Sequence, residues 1–249
     1  MRENIKGVAF DLDGTLYPNY RLNIRLLPFI LKETRLLSAF GNARTVIRKE
    51  QEESLKNASQ FSEPNPQFPT TDSQLPTPKF PIQNFYEYQA EVTAKILSVN
   101  PEALKEKIER LIYRGWEPLF KNIKLFKGVV ETLEALRKAG YKMGLMSDFP
   151  PKAKLKYLGI SDYWDVVHCS ESTGAIKPHP LSFFKLAEAM SLPPENILYV
   201  GNSHSYDVVG AGRAGMKTAW LKHAFSGKRN PNPDFSFINY RQLYDFMLH

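Results

Sequence analysis

The sequence predicts an α/β fold with a parallel sheet, on three observations. Short apolar runs recur along the chain, each closed by turn-forming or polar residues. Stretches with helical spacing of apolar residues lie between them. One helix-rich stretch, residues 18–125, interrupts the alternation near the start. Strands alternating with helices of this length argue for βαβ units, and such units give parallel strands.

The runs are taken in order. Residues 7–12 read Gly-Val-Ala-Phe-Asp-Leu and close at Asp13-Gly14. Residues 141–146 close at Ser147-Asp148, and residues 164–169 form a third run. Residues 196–200 close at Gly201-Asn202, residues 216–221 form a fifth run, and residues 235–238 are a candidate sixth. Apolar runs of this length with such punctuation read as buried strands. Helices are expected at 129–139, 181–190, 207–214 and 240–248. Gly140 and Gly215 follow two of them in the place of a C-terminal cap.

The interrupting stretch reads as helices over 22–39, 43–57, 86–97 and 101–119, with Pro101 suited to a first turn. Between the second and third lies a proline-rich loop at about 62–84, carrying Pro64, Pro66, Pro69, Pro76, Pro78 and Pro81. Its composition predicts an extended, exposed connection. The expected organisation is therefore a core from residues 1–17 and 126–249, with a helical insertion over 18–125.

A length of 249 residues fits one large domain or a core with a smaller inserted one. The formal net charge of +7 suits anionic partners, or simply keeps the protein in solution. No run of five like charges and no zinc-finger or RNA-binding signature occurs, which argues against nucleic acid. The single cysteine, Cys169, cannot form an internal disulfide and points to a reducing, cytoplasmic setting. Residues 1–6 run directly into a strand rather than a secretory leader. The apolar stretch 22–40 is broken by Arg25, Pro28, Lys32, Glu33 and Arg35, too polar to span a bilayer, so no membrane is expected.

In open α/β sheets ligands bind beyond the carboxyl ends of the strands. Asp11 and Asp13 fall at the end of the first strand and, two residues apart, face the same side. Two carboxylates facing one point repel unless a cation lies between them. Ser147 and Asp148 end the second strand, Gly201 and Asn202 the fourth, and Asp207 opens the next helix. Lys177 stands before Pro178, between the third strand and its helix. Plainer roles exist for each: Ser147, Asp148 and Asp207 are good helix caps, and Lys-Pro is a common surface pair. His179 and His204 have no partner at metal-ligand spacing and read as surface or supporting residues. Phe183-Phe184 reads as core.

The segment Asp11-Leu12-Asp13-Gly14-Thr15-Leu16 resembles the first motif of the haloacid dehalogenase-like hydrolases. The serine ending strand two, the lysine before proline and Gly201-Asn202-x₄-Asp207 resemble the family's other motifs, in order. The resemblance covers residues 5–17 and about 126–221. It implies a Rossmann-like parallel sheet core with an inserted all-helical cap, and magnesium-dependent phosphatase action on a small phosphorylated metabolite. It implies Asp11 as nucleophile and Asp13 as general acid and base, because the family's true dehalogenases lack a carboxylate there. Gly14, Thr15, Ser147, Asp148 and Lys177 would hold the phosphoryl group. Asp11, Asp13, Asn202 and Asp207 would hold Mg2+. One departure stands out: the family usually has Asp where this chain has Asn202. A phosphosugar mutase, a phosphonatase and a non-catalytic binding protein of the same fold remain alternatives. The basic residues Arg21, Arg25, Arg44, Arg48 and Lys49 of the insertion read as a solvated helix face, with anion attraction as the other possibility.

Overall fold

In the computed structural model, which describes residues 2–60, 80–222, 227 and 229–249, six strands form one parallel sheet. They are β1 (Gly7–Asp11), β2 (Lys142–Ser147), β3 (Val166–Cys169), β4 (Ile197–Gly201), β5 (Lys217–Leu221) and β6 (Phe235–Phe237). Their order is β3-β2-β1-β4-β5-β6. Each matches an apolar run of the sequence to within two residues.

β1 lies at the centre and is buried throughout. Its side chains alternate between two layers. Val8 and Phe10 join a cluster with Val129, Leu133, Leu136, Leu155, Leu243 and Met247, while Ala9 packs with Met146, Phe183, Leu186 and Met190. The helices α5 (Val129–Lys138), α6 (Lys152–Leu158) and α9 (Tyr240–Leu248) thus cover one face; α7 (Pro180–Ala189) and α8 (Val209–Arg213) cover the other. Both faces are buried, as a parallel sheet requires. Each large side chain so buried contributes roughly 1.5–3 kcal/mol of transfer free energy. Phe183 is fully buried but Phe184 is 43% exposed, so only the first of that pair belongs to the core.

The chain leaves β1 for a helical insertion and returns at Phe126, whose amide donates to the carbonyl of Leu16 at 3.0 Å. The insertion holds α1 (Asn19–Lys32), α2 (Thr34–Gln60), α3 (Phe85–Leu97) and α4 (Pro101–Ile108). A π-helical turn over Glu109–Arg114 and a 3₁₀ turn over Glu117–Phe120 follow. Leu36, Phe40, Ala90, Ala94, Leu104, Ile108, Ile112 and Tyr113 form its own apolar cluster.

Three boundaries differ from expectation. The first two helices divide at Glu33 rather than near Gly41. Leu22 packs on the sheet core whereas Leu36 and Phe40 pack within the insertion, so the chain must turn between them. The buried stripe Leu36, Phe40, Ala43, Ile47 then carries α2 straight through Gly41, which faces open space. The expected helix over 101–119 is regular only to Ile108; the wider turn that follows keeps both Ile112 and Tyr113 inside. Third, Phe80 and Ile82 are not part of an exposed loop. Phe80 is 3% exposed against Ile47, Phe85 and Ile176, and the amide of Ile82 donates to Gly174. The rest of the expected proline-rich loop, residues 62–79, lies outside the described residues. Among the described residues, no helix is long and apolar enough to cross a membrane.

Candidate active site

The sheet order reverses direction between β1 and β4, and the carboxyl ends of β1, β2 and β4 converge there. Lys177 reaches this point from the loop before α7. Its ammonium donates to Asp11 Oδ1 at 2.5 Å and to Asp207 Oδ1 at 2.8 Å. Thr15 Oγ1 donates to Asp11 Oδ2 at 2.7 Å and approaches Asn202 Oδ1 at 3.3 Å. Asp207 Oδ2 accepts the amide of Ser203 at 2.9 Å. Asp11 and Lys177 are only about 5% exposed, whereas Asp13 and Asn202 are half-buried.

Asp13 lies two residues beyond the end of β1, where its charge is felt by Asp11. Both its oxygens accept from Lys154 Nζ, at 3.0 and 2.7 Å, and it accepts further from Ser147 Oγ at 3.0 Å and from the Tyr17 hydroxyl. Burial works against ionisation of Asp13, but the Lys154 ammonium and these hydrogen bonds carry its pKa below the usual carboxylate value. Asp11 is the opposite case. Burial, reinforced by the charges of Asp207 and Asp13 and opposed by Lys177, pushes its carboxyl up to about 7. Lys177, between two carboxylates, is held firmly cationic although burial opposes this.

Two glycines make the close approaches possible. Gly14 has φ of +87°, a left-handed backbone that favours glycine, and a Cβ there would meet Asn202 Nδ2 at 2.4 Å. A Cβ on Gly201 would fall 2.3 Å from that of Asp207.

The structure thus brings Asp11, Asp13, Gly14, Thr15, Ser147, Lys177, Asn202 and Asp207 to one place. It revises some of their assignments. The Asp148 carboxylate does not face the phosphate position: it accepts from Arg44 Nη2 at 3.2 Å, Arg48 Nη2 at 2.9 Å, the Lys177 amide at 3.1 Å and the Ser170 hydroxyl. The hydroxyls of Thr15 and Ser147 are given to Asp11 and Asp13, so they orient the carboxylates. The Asp13 side chain accepts from Lys154, Tyr17 and Ser147.

Arg44 and Arg48 are likewise not a solvated face. Arg44 is 6% exposed and bonds Gln89, Glu171 and Asp148; Arg48 also donates Nε to the carbonyl of Lys177. Arg25 donates to backbone carbonyls of residues 119 and 121. Of the five, Lys49 is the one the structure leaves largely in solvent, beside Glu53. His179 caps α7 by accepting the amide of Leu181, and burial lowers its pKa to about 4; His204 contacts the carbonyl of Pro231. Neither lies among the carboxylates' partners.

Sequence reasoning missed Lys154, Tyr17, Glu171 and Gln51. Tyr17 follows Asp13 by four residues, but only the loop that folds back to bridge Asp13 and Tyr17 brings their side chains together. Lys154 sits on a helix face that looks like any other basic surface.

The haloacid dehalogenase-like hydrolase family matches residues 5–215. The chain belongs to this family. As a haloacid dehalogenase-like hydrolase it is 28% identical to a glyceraldehyde 3-phosphate phosphatase of Methanopyrus kandleri, over 97% of this chain and 96% of that one. It is 25% identical to a phosphoglycolate phosphatase of Haemophilus influenzae, over 98% of both. Among solved structures, a haloacid dehalogenase-like phosphatase from Thermococcus onnurineus superposes with a TM-score of 0.59 and 25% identity, over 98% of both chains. The expected parallel α/β core stands.

Proposed function

We propose that this hydrolase is a phosphatase that cleaves a small phosphate monoester through an aspartyl-phosphate on Asp11. The observation that carries the reading is the second carboxylate, Asp13, beside the first at the end of β1, where both meet buried lysines. The phosphatase names of the relatives support it. In the first step an Asp11 oxygen bonds to phosphorus as the ester P–O bond breaks, and Asp13 passes its proton to the departing oxygen. In the second, water attacks the aspartyl-phosphate, Asp13 takes the water proton, and phosphate leaves with Asp11 restored. Lys154 holds Asp13 ionised, the form the second step needs. A phosphate dianion arriving beside Asp13 raises its proton affinity for the first. Lys177 neutralises charge on the nucleophile and on the transferring group.

The donor set fits magnesium. Asp11, Asp13 and Asp207 set three carboxylates against the two ammonium groups of Lys154 and Lys177, and Asp207 and Asp13 add to the burial that raises the pKa of Asp11. Among the described residues no three of His, Cys, Asp and Glu form a metal-holding group, so the amide oxygen of Asn202 would complete the set with Asp11 and Asp207. All are hard oxygens of the type magnesium takes. Bound there, the ion would screen charge on the phosphoryl oxygens. We assign the helical insertion the role of a cap over the carboxyl ends of the strands, whose α2 bonds Asp148 and the Lys177 loop. Cytoplasmic residence suits Cys169, whose thiol burial pushes up to about 12, away from reactive thiolate.

The test is phosphate release across small phosphate esters, glyceraldehyde 3-phosphate and phosphoglycolate included, with and without Mg2+. Magnesium-dependent release that Asp11→Asn abolishes is expected. Release from none of them, or release that survives Asp11→Asn, would overturn the reading.

A further inference from the structure

The loop that carries Lys177 is gripped from outside the core. Gln51, on α2 of the insertion, is 2% exposed, and its side-chain amide pairs with the backbone of Ile176 on both sides. Nε2 donates to the Ile176 carbonyl at 2.9 Å, and Oε1 accepts the Ile176 amide at 3.3 Å. One turn earlier on the same helix, Arg48 Nε donates to the Lys177 carbonyl at 2.9 Å. The guanidinium of Arg48 also holds Asp148, whose carboxylate in turn accepts the Lys177 amide. Both backbone polar groups of Ile176 and of Lys177 are therefore bonded to, or through, side chains of α2. Ile176 itself packs against Ile47 of the same helix.

We infer that Gln51 and Arg48 are positioning residues for Lys177, so that its ammonium is in register with Asp11 only while α2 is docked on the core. The inference rests on the proposed role of Lys177 and adds to it. Backbone amides and carbonyls in this buried loop need partners. When α2 lifts, the Ile176 amide and the Lys177 carbonyl lose their partners while the Ile176 carbonyl keeps the His179 amide and the Lys177 amide keeps Asp148, so the loop is held at half its points and can shift. A displacement of about 1 Å at a catalytic group can cost on the order of 100-fold in rate. Cap position is thereby coupled to catalytic strength by direct bonds: an open enzyme admits substrate but does not process it.

The same helix supplies an internal control. Glu52, the next residue, joins α2 to the core through two bonds with Arg213, at 2.7 and 3.0 Å; its charge is felt by His179, but it makes no hydrogen bond to Ile176 or Lys177. Losing Glu52 loosens the attachment of the insertion; losing Gln51 loosens it and releases the loop. The experiment compares kcat, KM and melting temperature for Gln51→Met, Arg48→Lys and Glu52→Ala, on the best substrate and at a temperature where all are folded. Gln51→Met keeps the side-chain volume but removes both bonds. Arg48→Lys keeps the charge on Asp148 but lacks the Nε donor. Gln51→Met is expected to lower kcat at least tenfold with KM changed less than threefold, Arg48→Lys to lower it severalfold, and Glu52→Ala to stay within twofold. Equal losses in Gln51→Met and Glu52→Ala would reduce the contacts to ordinary attachment and overturn the inference. So would an undiminished kcat in Gln51→Met, or in Arg48→Lys should Gln51→Met fail to fold. Lys177→Ala separates the two levels: full activity there would refute the role of Lys177 itself, whereas its loss together with unaffected Gln51 and Arg48 variants would refute the positioning alone.

Discussion

Asp148→Asn probes the junction between insertion and core with a magnitude that follows from the site. Asp148 is 13% exposed and receives two arginines from α2, the amide of Lys177 and the hydroxyl of Ser170. Burial raises its pKa, but Arg44, Lys177 and Arg48 together bring it down from 3.8 to about 2. A folded-state pKa below the unfolded one means stability that is present above about pH 4 and lost as pH falls through 2. At 1.36 kcal/mol per unit, that is about 2 kcal/mol at neutral pH. Asparagine keeps the shape and can still accept the Lys177 amide, yet it gives up the charge facing two guanidinium groups. Arg44 retains Glu171, while Arg48 retains the Lys177 carbonyl and the face of the Tyr206 ring. The variant should therefore unfold in urea with about 2 kcal/mol less free energy than the parent at pH 7, a figure that follows from the same linkage. The gap should shrink to about half at pH 3 by that titration. Glu171, which burial raises to about 7, is also pushed up by the charge of Asp148, so its pKa falls in the variant and offsets part of the loss near neutral pH. Equal unfolding free energies at pH 7, or a gap that does not narrow in acid, would refute the account.

Asp11→Asn should abolish phosphate release and leave the melting temperature at pH 7 unchanged or higher, since it removes a carboxylate that burial already disfavours in its charged form. Asp13→Asn should slow turnover about 10²–10⁴-fold on substrates with poor leaving groups, the usual worth of acid–base catalysis, measured by steady-state kinetics. Lys154→Met removes the cation that holds Asp13 ionised. The ionised form then fails at higher pH, and the acid limb of the pH–rate profile should move upward. Asn202→Asp adds a charge beside Thr15 and should lower the magnesium concentration for half-maximal activity; superimposable magnesium titrations would take Asn202 out of the metal set.

The sheet was legible because its strands are buried on both faces and so read as unbroken apolar runs with turn residues at their ends. The candidate residues Asp11 and Asp13 stood out because they close the first strand, and Lys177 and Asp207 because they lie in the connections after the third and fourth. Helix boundaries in the insertion were less so, since the turn at Glu33 is set by which cluster each flank packs against, Leu22 in one and Leu36 in the other. The partners of the site were illegible for a similar reason. Lys154 lies 141 residues from Asp13, and Arg44 lies 127 from Glu171, so only the tertiary fold pairs them. Arginines spaced four apart on α2 look like a solvated face until a buried carboxylate is found opposite.

The central place of β1 has a consequence for how the protein comes into being. Gly7 pairs with Lys142 on one side and with Ile197 on the other. The first strand to leave the ribosome must therefore wait for partners encoded far downstream. At ordinary synthesis speeds of about 5–20 residues per second, Ile197 appears roughly ten to forty seconds after Gly7. Through that interval an apolar segment with open edges on both sides waits for partners not yet made, while the insertion, whose α2, α3 and α4 are close in sequence, can assemble first. The molecule is thus built from its appendage inward, and the residues that define its chemistry, divided between β1 and the segments around residues 147, 177 and 207, come together only near the end of synthesis.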